Sequence, residues 1–312
     1  MFQGMEYVYE VYKEKSFSRA AKNLFISQPS LSANVKRIEK KIGYPLFDRS
    51  TKPLVMTECG ERYIQSVEKI LSAEKEFTDF VNDWGGLKTG GLVLGGSTLY
   101  SSWMLPVLMG RFSRKYPQVN QVLVEESTAK LEQMLESGTL DLMLDNCDLD
   151  PEQFGQRVLQ KERLLLVVPA TREINEKMRS YQVSSEQIRD GSYLQKEVKA
   201  VPLKAFSQEP FIILKHENDT RKRAMELCQQ AGFSPDIVFE LDQQMTSYNV
   251  ACSGMGSSFI SDTLLARVPD NRSVVYYKLG GANSSRNLSF YWKKGRYFSR
   301  TMEAFLEELE KL

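Results

Sequence analysis

Residues 17–63 read FSRAAKNLFISQPSLSANVKRIEKKIGYPLFDRSTKPLVMTECGERY, and the fold is decided by this stretch. SRAAKNLF puts Ala20, Ala21, Leu24 and Phe25 on one helical face and leaves Arg19 and Lys22 outside. Ser27 is a candidate N-cap for the next helix, because a serine oxygen can accept a first-turn amide, and Pro29 sits where a first turn tolerates proline. Leu31, Val35, Ile38 and Ile42 then recur as a buried helical stripe, with Ser30, Ser32, Ala33, Lys36 and Arg37 pointing away and Gly43 closing the helix. Upstream, Val8, Val11 and Tyr12 predict another helix ending near Ser16. Short tandem helices, a tight turn and a helix with a small, polar and basic exposed side make a helix-turn-helix pattern.

The surrounding composition agrees. The chain has 312 residues, of which 42% are hydrophobic and 26% charged, the profile of a folded protein of two or more domains. Its net charge of +1 conceals a split: residues 1–57 hold ten Lys or Arg against five Asp or Glu, a balance of +5, so the remainder carries −4. A basic head on a mildly acidic body suits phosphate neutralisation by Lys and Arg. Cys59, Cys147, Cys228 and Cys252 have no paired spacing, so neither a zinc knot nor a disulfide framework is expected, and the thiols are expected reduced. With no signal-like start and no apolar run of about 18 residues, a cytoplasmic chain without a membrane partner is expected.

Phe17, the Ala20–Ala21 pair, SQPSLS, Ile38 with Glu39, Gly43, PLFDR, and Thr57 with Gly60 together resemble the N-terminal domain of LysR-type transcriptional regulators. The resemblance implies a winged helix-turn-helix over residues 1–58, with STKPLVMT as the wing. It implies that the third helix enters the major groove by its N-terminus. Gln28, Pro29, Ser30 and Ser32 would then meet base edges, with Ser27 beside them in the DNA-binding set, Lys36 bases or phosphate, and Arg19, Arg49 and Lys52 phosphates. Relatives commonly carry a polar or basic residue where this chain has Ala33, so their operator preference does not transfer.

From residue 59 to 89 the periodicity of Ile64, Val67, Leu71, Phe77, Val81 and Trp84 predicts a long amphipathic linker helix. Similar regulators dimerise through it, so these six are the expected dimer contacts. A homodimer, and by resemblance a homotetramer bending two spaced DNA sites, is expected, with RNA polymerase a further partner. The glycine-rich GGLKTGG run over residues 85–91 marks the domain boundary.

Residues 90–312 alternate short apolar strands with helical stretches, the rhythm of an open α/β sheet. They resemble the family's two-lobed, periplasmic-binding-protein-like effector domain, with lobe I near 90–165 and 269–312 and lobe II near 166–268. Ligands of such lobes bind beyond strand C-termini, near helix starts. Ser97, Thr98, Ser127, Thr128, Asn218, Thr220, Met245 and Thr246 are therefore the candidate effector contacts, and a small carboxylate-bearing metabolite is the expected guest. Residues 171–209 exceed the family's usual connection and read as surface decoration or a helical insertion bordering the cleft.

Nothing reads as catalytic. His216 is the lone histidine, GGSTL at 95–99 lacks the last glycine of a nucleophile elbow, and phosphate-binding fingerprints are missing. No metal and no cofactor are expected. A secreted solute receptor would share the C-terminal fold but carry no DNA-binding head.

Overall fold

A computed structural model describes residues 1–51, 53–84, 90–216 and 218–309. Lys52 and residues 85–89 of the expected boundary lie outside the described residues. The head packs α1 (Met5–Glu14), α2 (Phe17–Asn23) and α3 (Gln28–Ile42) around Val8, Val11, Ala20, Ala21, Leu31, Val35 and Ile38. Ser16 and Ser27 cap the second and third helices, accepting the amides of Arg19 (3.4 Å) and Ser30 (3.3 Å). Phe25 departs from the expected apolar face. It lies past the end of α2 at φ 54° and is 96% exposed, because the turn into α3 rotates it outward.

The structure gives the PLFDR and threonine-glycine landmarks a physical role. The Glu39 carboxylate accepts the Leu46 amide and the Arg49 guanidinium, both at 2.9 Å, and so ties the end of α3 to the wing. β1 (Phe47–Asp48) pairs antiparallel with β2 (Val55–Met56). Thr57 donates its hydroxyl to the Pro45 carbonyl (2.7 Å) and accepts the Gly60 amide (3.0 Å). A Cβ on Gly60 would lie 2.1 Å from the Leu46 carbonyl oxygen, so a glycine is required for this approach.

The linker helix α4 (Glu58–Trp84) has two unlike halves. Ile64 and Val67 are buried in the head's core, which corrects their expected place in a dimer seam, while the half-buried Leu71 packs against the edge of that core. The head is large enough to cover these turns. The second half is held to the C-terminal domain by polar contacts: Lys75 bridges Asp79 (2.8 Å) and Asp141 (2.7 Å), Glu76 meets Arg296 (2.7 Å), and Asp83 accepts the Tyr297 hydroxyl (2.8 Å). Phe77 (69%), Val81 (51%) and Trp84 (84%) stay exposed.

In the C-terminal domain the chain runs β3 (Gly90–Gly96), α5 (Thr98–Trp103), α6 (Leu105–Lys115), β4 (Val119–Glu125), α7 (Thr128–Ser137) and β5 (Leu142–Asp145). β6 (Phe154–Pro169), α8 (Ile174–Lys177), β7 (Gln182–Val183), α9 (Ser185–Asp190) and β8 (Pro210–Leu214) follow. The last part is α10 (Asp219–Gln230), β9 (Asp236–Leu241), α11 (Gln244–Cys252), β10 (Ser257–Ser261), α12 (Asp262–Leu265), β11 (Val274–Lys278), β12 (Ser285–Lys293) and α13 (Arg300–Glu308).

Two lobes share β6. Its residues 154–163 pair with β12 in lobe I, and from Leu164 onward it pairs with β10 and β11 in lobe II. Lobe I orders β4-β3-β5-β12-β6, and lobe II continues through β10, β8 and β9. β11 thus belongs to lobe II, so the return to lobe I comes after residue 278 and not at 269; β11 is tied to β6 by the register from Val274 to Lys278. Residues 171–209 are not surface decoration. Val183, Ile188, Tyr193, Val201, Leu203 and Phe206 are buried in the two lobe II clusters, so this segment completes that core.

Candidate effector cleft and nucleic-acid interface

Between the lobes lies a cleft of about 680 Å³. Ser97, Thr98, Ser127, Thr128 and Asn218 line it as the sequence predicts. Thr220, Met245 and Thr246 do not. Thr220 is buried and accepts Arg286 (3.0 Å) and Gln244 (3.3 Å), Met245 packs against the lobe II core, and Thr246 is outside the lining, to which this part of the chain contributes the cap residue Gln243 and the first residue of α11, Gln244. A larger crevice of about 820 Å³ separates the head from α7; the wing and linker helix border it, and no set of helix starts converges there.

The helix starts differ in how their first amides are met. Asn218 caps α10 by accepting the Thr220 amide (2.9 Å), whereas α7 and α11 open with no side-chain cap. The threonine hydroxyls are committed: Thr98 donates to Glu125 (2.6 Å) and Thr128 to Asp145 (3.0 Å). Burial raises the Asp145 pKa, against the opposing pull of Thr128 and the amides of Asn146 and Cys147.

Sequence reasoning missed the buried network beside the cleft, because its members come from four separate elements. Arg286 on β12 meets Glu162 on β6 at 2.7 Å and Asp219 on α10 at 2.7 Å, and the first two side chains are 1% and 0% exposed. Asn146 donates to the Tyr100 hydroxyl (2.5 Å) and to Glu162 (3.2 Å). The network therefore joins lobe I, through Tyr100 and Asn146, to lobe II, through Asp219 and Thr220, beside the point where β6 changes partners. Burial disfavours the charge on Arg286, but Glu162, Tyr100 and Asp219 outweigh it and hold its pKa above the ordinary value.

At the other end of the molecule the start of α3 is bare. Ser27, Gln28, Pro29 and Ser30 are exposed, as are Ala33, Lys36 and Arg37, while Ser32 is half-buried. The Gln28 side chain accepts the Ser18 hydroxyl (3.2 Å). Two of the expected phosphate contacts are engaged within the head: Arg19 pairs with Glu14 (3.3 Å), and Arg49 pairs with Glu39 while lying 5.0 Å over the Phe17 ring.

Two family descriptions cover this arrangement: "Bacterial regulatory helix-turn-helix protein, lysR family" matches residues 2–61, and "LysR substrate binding domain" matches residues 85–312. The chain belongs to the LysR family of transcriptional regulators. Among LysR-type relatives, the Bacillus subtilis (strain 168) "Uncharacterized HTH-type transcriptional regulator YcgK" is 29% identical over 305 residues, covering 97% of this chain and 92% of the relative. A "Probable RuBisCO transcriptional regulator" of Gracilaria tenuistipitata var. liui is 27% identical, covering 96% and 92%. The LysR fold also matches the solved structure of CbnR, a LysR family transcriptional regulator, with a TM-score of 0.68 at 16% identity over 100% of this chain and 98% of that one. LysR-type regulators are not enzymes, and among the described residues no His, Cys, Asp and Glu group is arranged to hold a metal and no helix is long and apolar enough to cross a membrane.

Proposed function

We propose that this LysR-type regulator seats the first turn of α3 in the major groove of promoter DNA, and that a small carboxylate-bearing metabolite held between the lobes changes that binding. The observation that carries the reading is the cleft onto which α7 and α11 open uncapped, in a chain that also bares Ser27–Ser30 at a basic head. Uncapped first-turn amides favour an anion. Lys215 is the basic residue lining the cleft.

In this reading Gln28, Ser30 and Ser32 reach base edges, and Lys36, Arg37 and the wing, with Lys52, neutralise phosphate. The exposed Phe77, Val81 and Trp84, spaced four and three residues apart, form the homodimer seam with a second α4. Two dimers make the tetramer that contacts two sites in the cytoplasm, where RNA polymerase is the downstream partner. The effector shifts DNA binding only through its differential affinity for lobe arrangements, and the buried Glu162–Arg286–Asp219 network at the crossing is the element that senses them.

A thiol-based oxidant response at Cys147, Cys228 or Cys252 is less favoured, because burial raises the pKa of Cys147 and of Cys252 and pushes that of Cys228 up to about 12, which disfavours the thiolate at these three positions. The test is a gel-shift titration on promoter DNA flanking the chain's own gene, at two salt concentrations, with and without small carboxylates. Salt-sensitive binding that one metabolite alters supports the reading. Binding to no DNA at low salt by a folded dimer refutes it.

A further inference from the structure

Resting on the regulator reading above, we infer that the second half of α4 and lobe I form a clamp that couples the DNA-binding head to the effector domain within one chain. Its positioning residues are Glu76 and Asp83 on the helix, with Arg296 and Tyr297 on lobe I. None of the four lines the cleft between the lobes. One helix enters both parts of the molecule. Its first half is fixed in the head, where Ile64 and Val67 are buried in the core. Its second half buries polar side chains instead, Ser72 at 9% exposure and Asp83 at 5%. Burying polar groups is costly unless they are matched, and a freely jointed linker would need none. Asp83 is matched by the Tyr297 hydroxyl (2.8 Å) and the Arg300 amide (2.9 Å). An acid in the last turn of a helix opposes the helix dipole, and the last turn of α4, VNDW, holds an acid and no base. The same carboxylate is favourable at the first turn of α13, so Asp83 suits this helix end only while α13 stands against it.

Further fastenings join the same two bodies. Lys75 reaches the buried Asp141 (2.7 Å), whose second oxygen accepts the Val93 amide of β3 (2.8 Å). Glu76 accepts from Arg296 (2.7 Å). Beside that pair Gly138 ends α7 with φ 77°, and a Cβ there would lie 2.2 Å from the Ser72 hydroxyl oxygen and 2.4 Å from the Arg296 guanidinium carbon. The helix thus approaches lobe I too closely to leave room for a side chain. From Ser72 to Asp83 the fastenings extend about 16 Å along the helix axis, so a pivot about any one of them breaks the others. Each is to lobe I, so a change in the cleft moves lobe II against a unit made of lobe I, α4 and the head. Parts joined in this way share their stability, because whatever binds one raises the cost of opening the other.

The experiment is hydrogen exchange of the full-length protein with and without promoter DNA flanking the chain's own gene, resolved separately over the head and over residues 90–145 of lobe I. In the parent, DNA should slow exchange in both. In Glu76→Gln with Tyr297→Phe, it should slow exchange in the head alone, with DNA affinity in gel shifts unchanged. Glu76 is half-buried and Tyr297 exposed, and the phenylalanine keeps its ring against Phe80, so this variant should fold. Arg296→Ala should likewise lose the lobe I response, and Arg296→Lys, which keeps a cation opposite Glu76, should retain it. Lobe I protection that persists in both Arg296→Ala and the double variant overturns the clamp, as does a parent whose lobe I ignores bound DNA. If the parent binds no DNA, the regulator reading fails separately, and the head variant Ile64→Ala then decides the clamp. It should speed exchange over residues 90–145 when the clamp is intact and not in the Glu76→Gln, Tyr297→Phe background, and equal effects in both backgrounds overturn the inference.

Discussion

The head keeps its charges outside, whereas the crossing between the lobes keeps them inside. In the head the core is wholly apolar, and the ion pairs Arg19–Glu14 and Arg49–Glu39 lie on or near the surface. At the crossing, Arg286 and Glu162 have almost no exposure; Asp219 and Thr220 accept from Arg286, and Tyr100 and Asn146 donate to Glu162. Surface pairs contribute little, about 0–1 kcal/mol, so the DNA-facing side chains of the head are free to vary for recognition. A buried pair is different: removing one partner strands the other charge. The head is thus built to be read from outside, and the crossing to hold two lobes in a defined relation.

The largest effect should come from breaking the crossing. Arg286→Ala should destabilise the C-terminal domain by about 3–5 kcal/mol in urea unfolding, because Glu162 loses its partner in a dry site. Replacing both together, Arg286→Met with Glu162→Leu, should recover most of that loss while weakening the coupling between effector and DNA. If Arg286→Ala unfolds like the parent chain, the contrast between head and crossing fails.

The two halves of α4 sharpen the contrast. Ile64→Ala removes part of a buried side chain from the head and should cost about 2–5 kcal/mol. Trp84→Ala should leave stability nearly unchanged and shift the dimer–monomer equilibrium in sedimentation. A Trp84 variant that stays dimeric at all concentrations would move the seam elsewhere.

Third in size, Gln28→Ala should cost about 1–3 kcal/mol of discrimination between operator and altered sites, while Lys36→Ala should weaken all sequences alike and lower the salt slope by about 1. Equal losses on operator and random DNA for Gln28→Ala would remove α3 as the reading element.

The smallest effect concerns pH. Burial raises the pKa of Asp262 in the folded protein, against hydrogen bonds from the Arg163 amide (3.0 Å) and the Tyr193 hydroxyl (2.7 Å). The folded state therefore holds this proton more tightly than the unfolded chain does. Its contribution to stability is full below the ordinary carboxylate range and is lost as pH rises through the raised value. Asp262→Asn, whose Oδ1 can still accept the Arg163 amide while its Nδ2 donates to the Tyr193 oxygen, should melt progressively higher than the parent as pH rises from about 4 to 7, a trend that parallel melting curves would contradict.

The sequence alone settled the head, because its signals are local. A stripe at Leu31, Val35 and Ile38, a cap at Ser27 and a left-handed Gly43 are all set within one helix and its ends. The glycine at 60 and the threonine at 57 stood out as landmarks, and only the close approach of Leu46 explains them. Linker periodicity was equally legible as a helix, but periodicity records that a face is covered and not by what. Hence periodicity alone assigns Ile64 and Val67 to a partner, whereas the head itself covers them.

The cleft shows the same divide. Helix starts at Ser97, Ser127 and Asn218 follow strands along the chain, so the sequence located them. Tertiary structure alone placed Glu162, Arg286, Asp219 and Tyr100 together, since up to 124 residues separate members of one hydrogen-bonded pair. It also committed the protons of Thr98 and Thr128 to Glu125 and Asp145, so each hydroxyl is left with only lone pairs for a guest. Local periodicity fixes which segments are helix, strand or cap, whereas charge balance and proton direction belong to a space that distant segments build together.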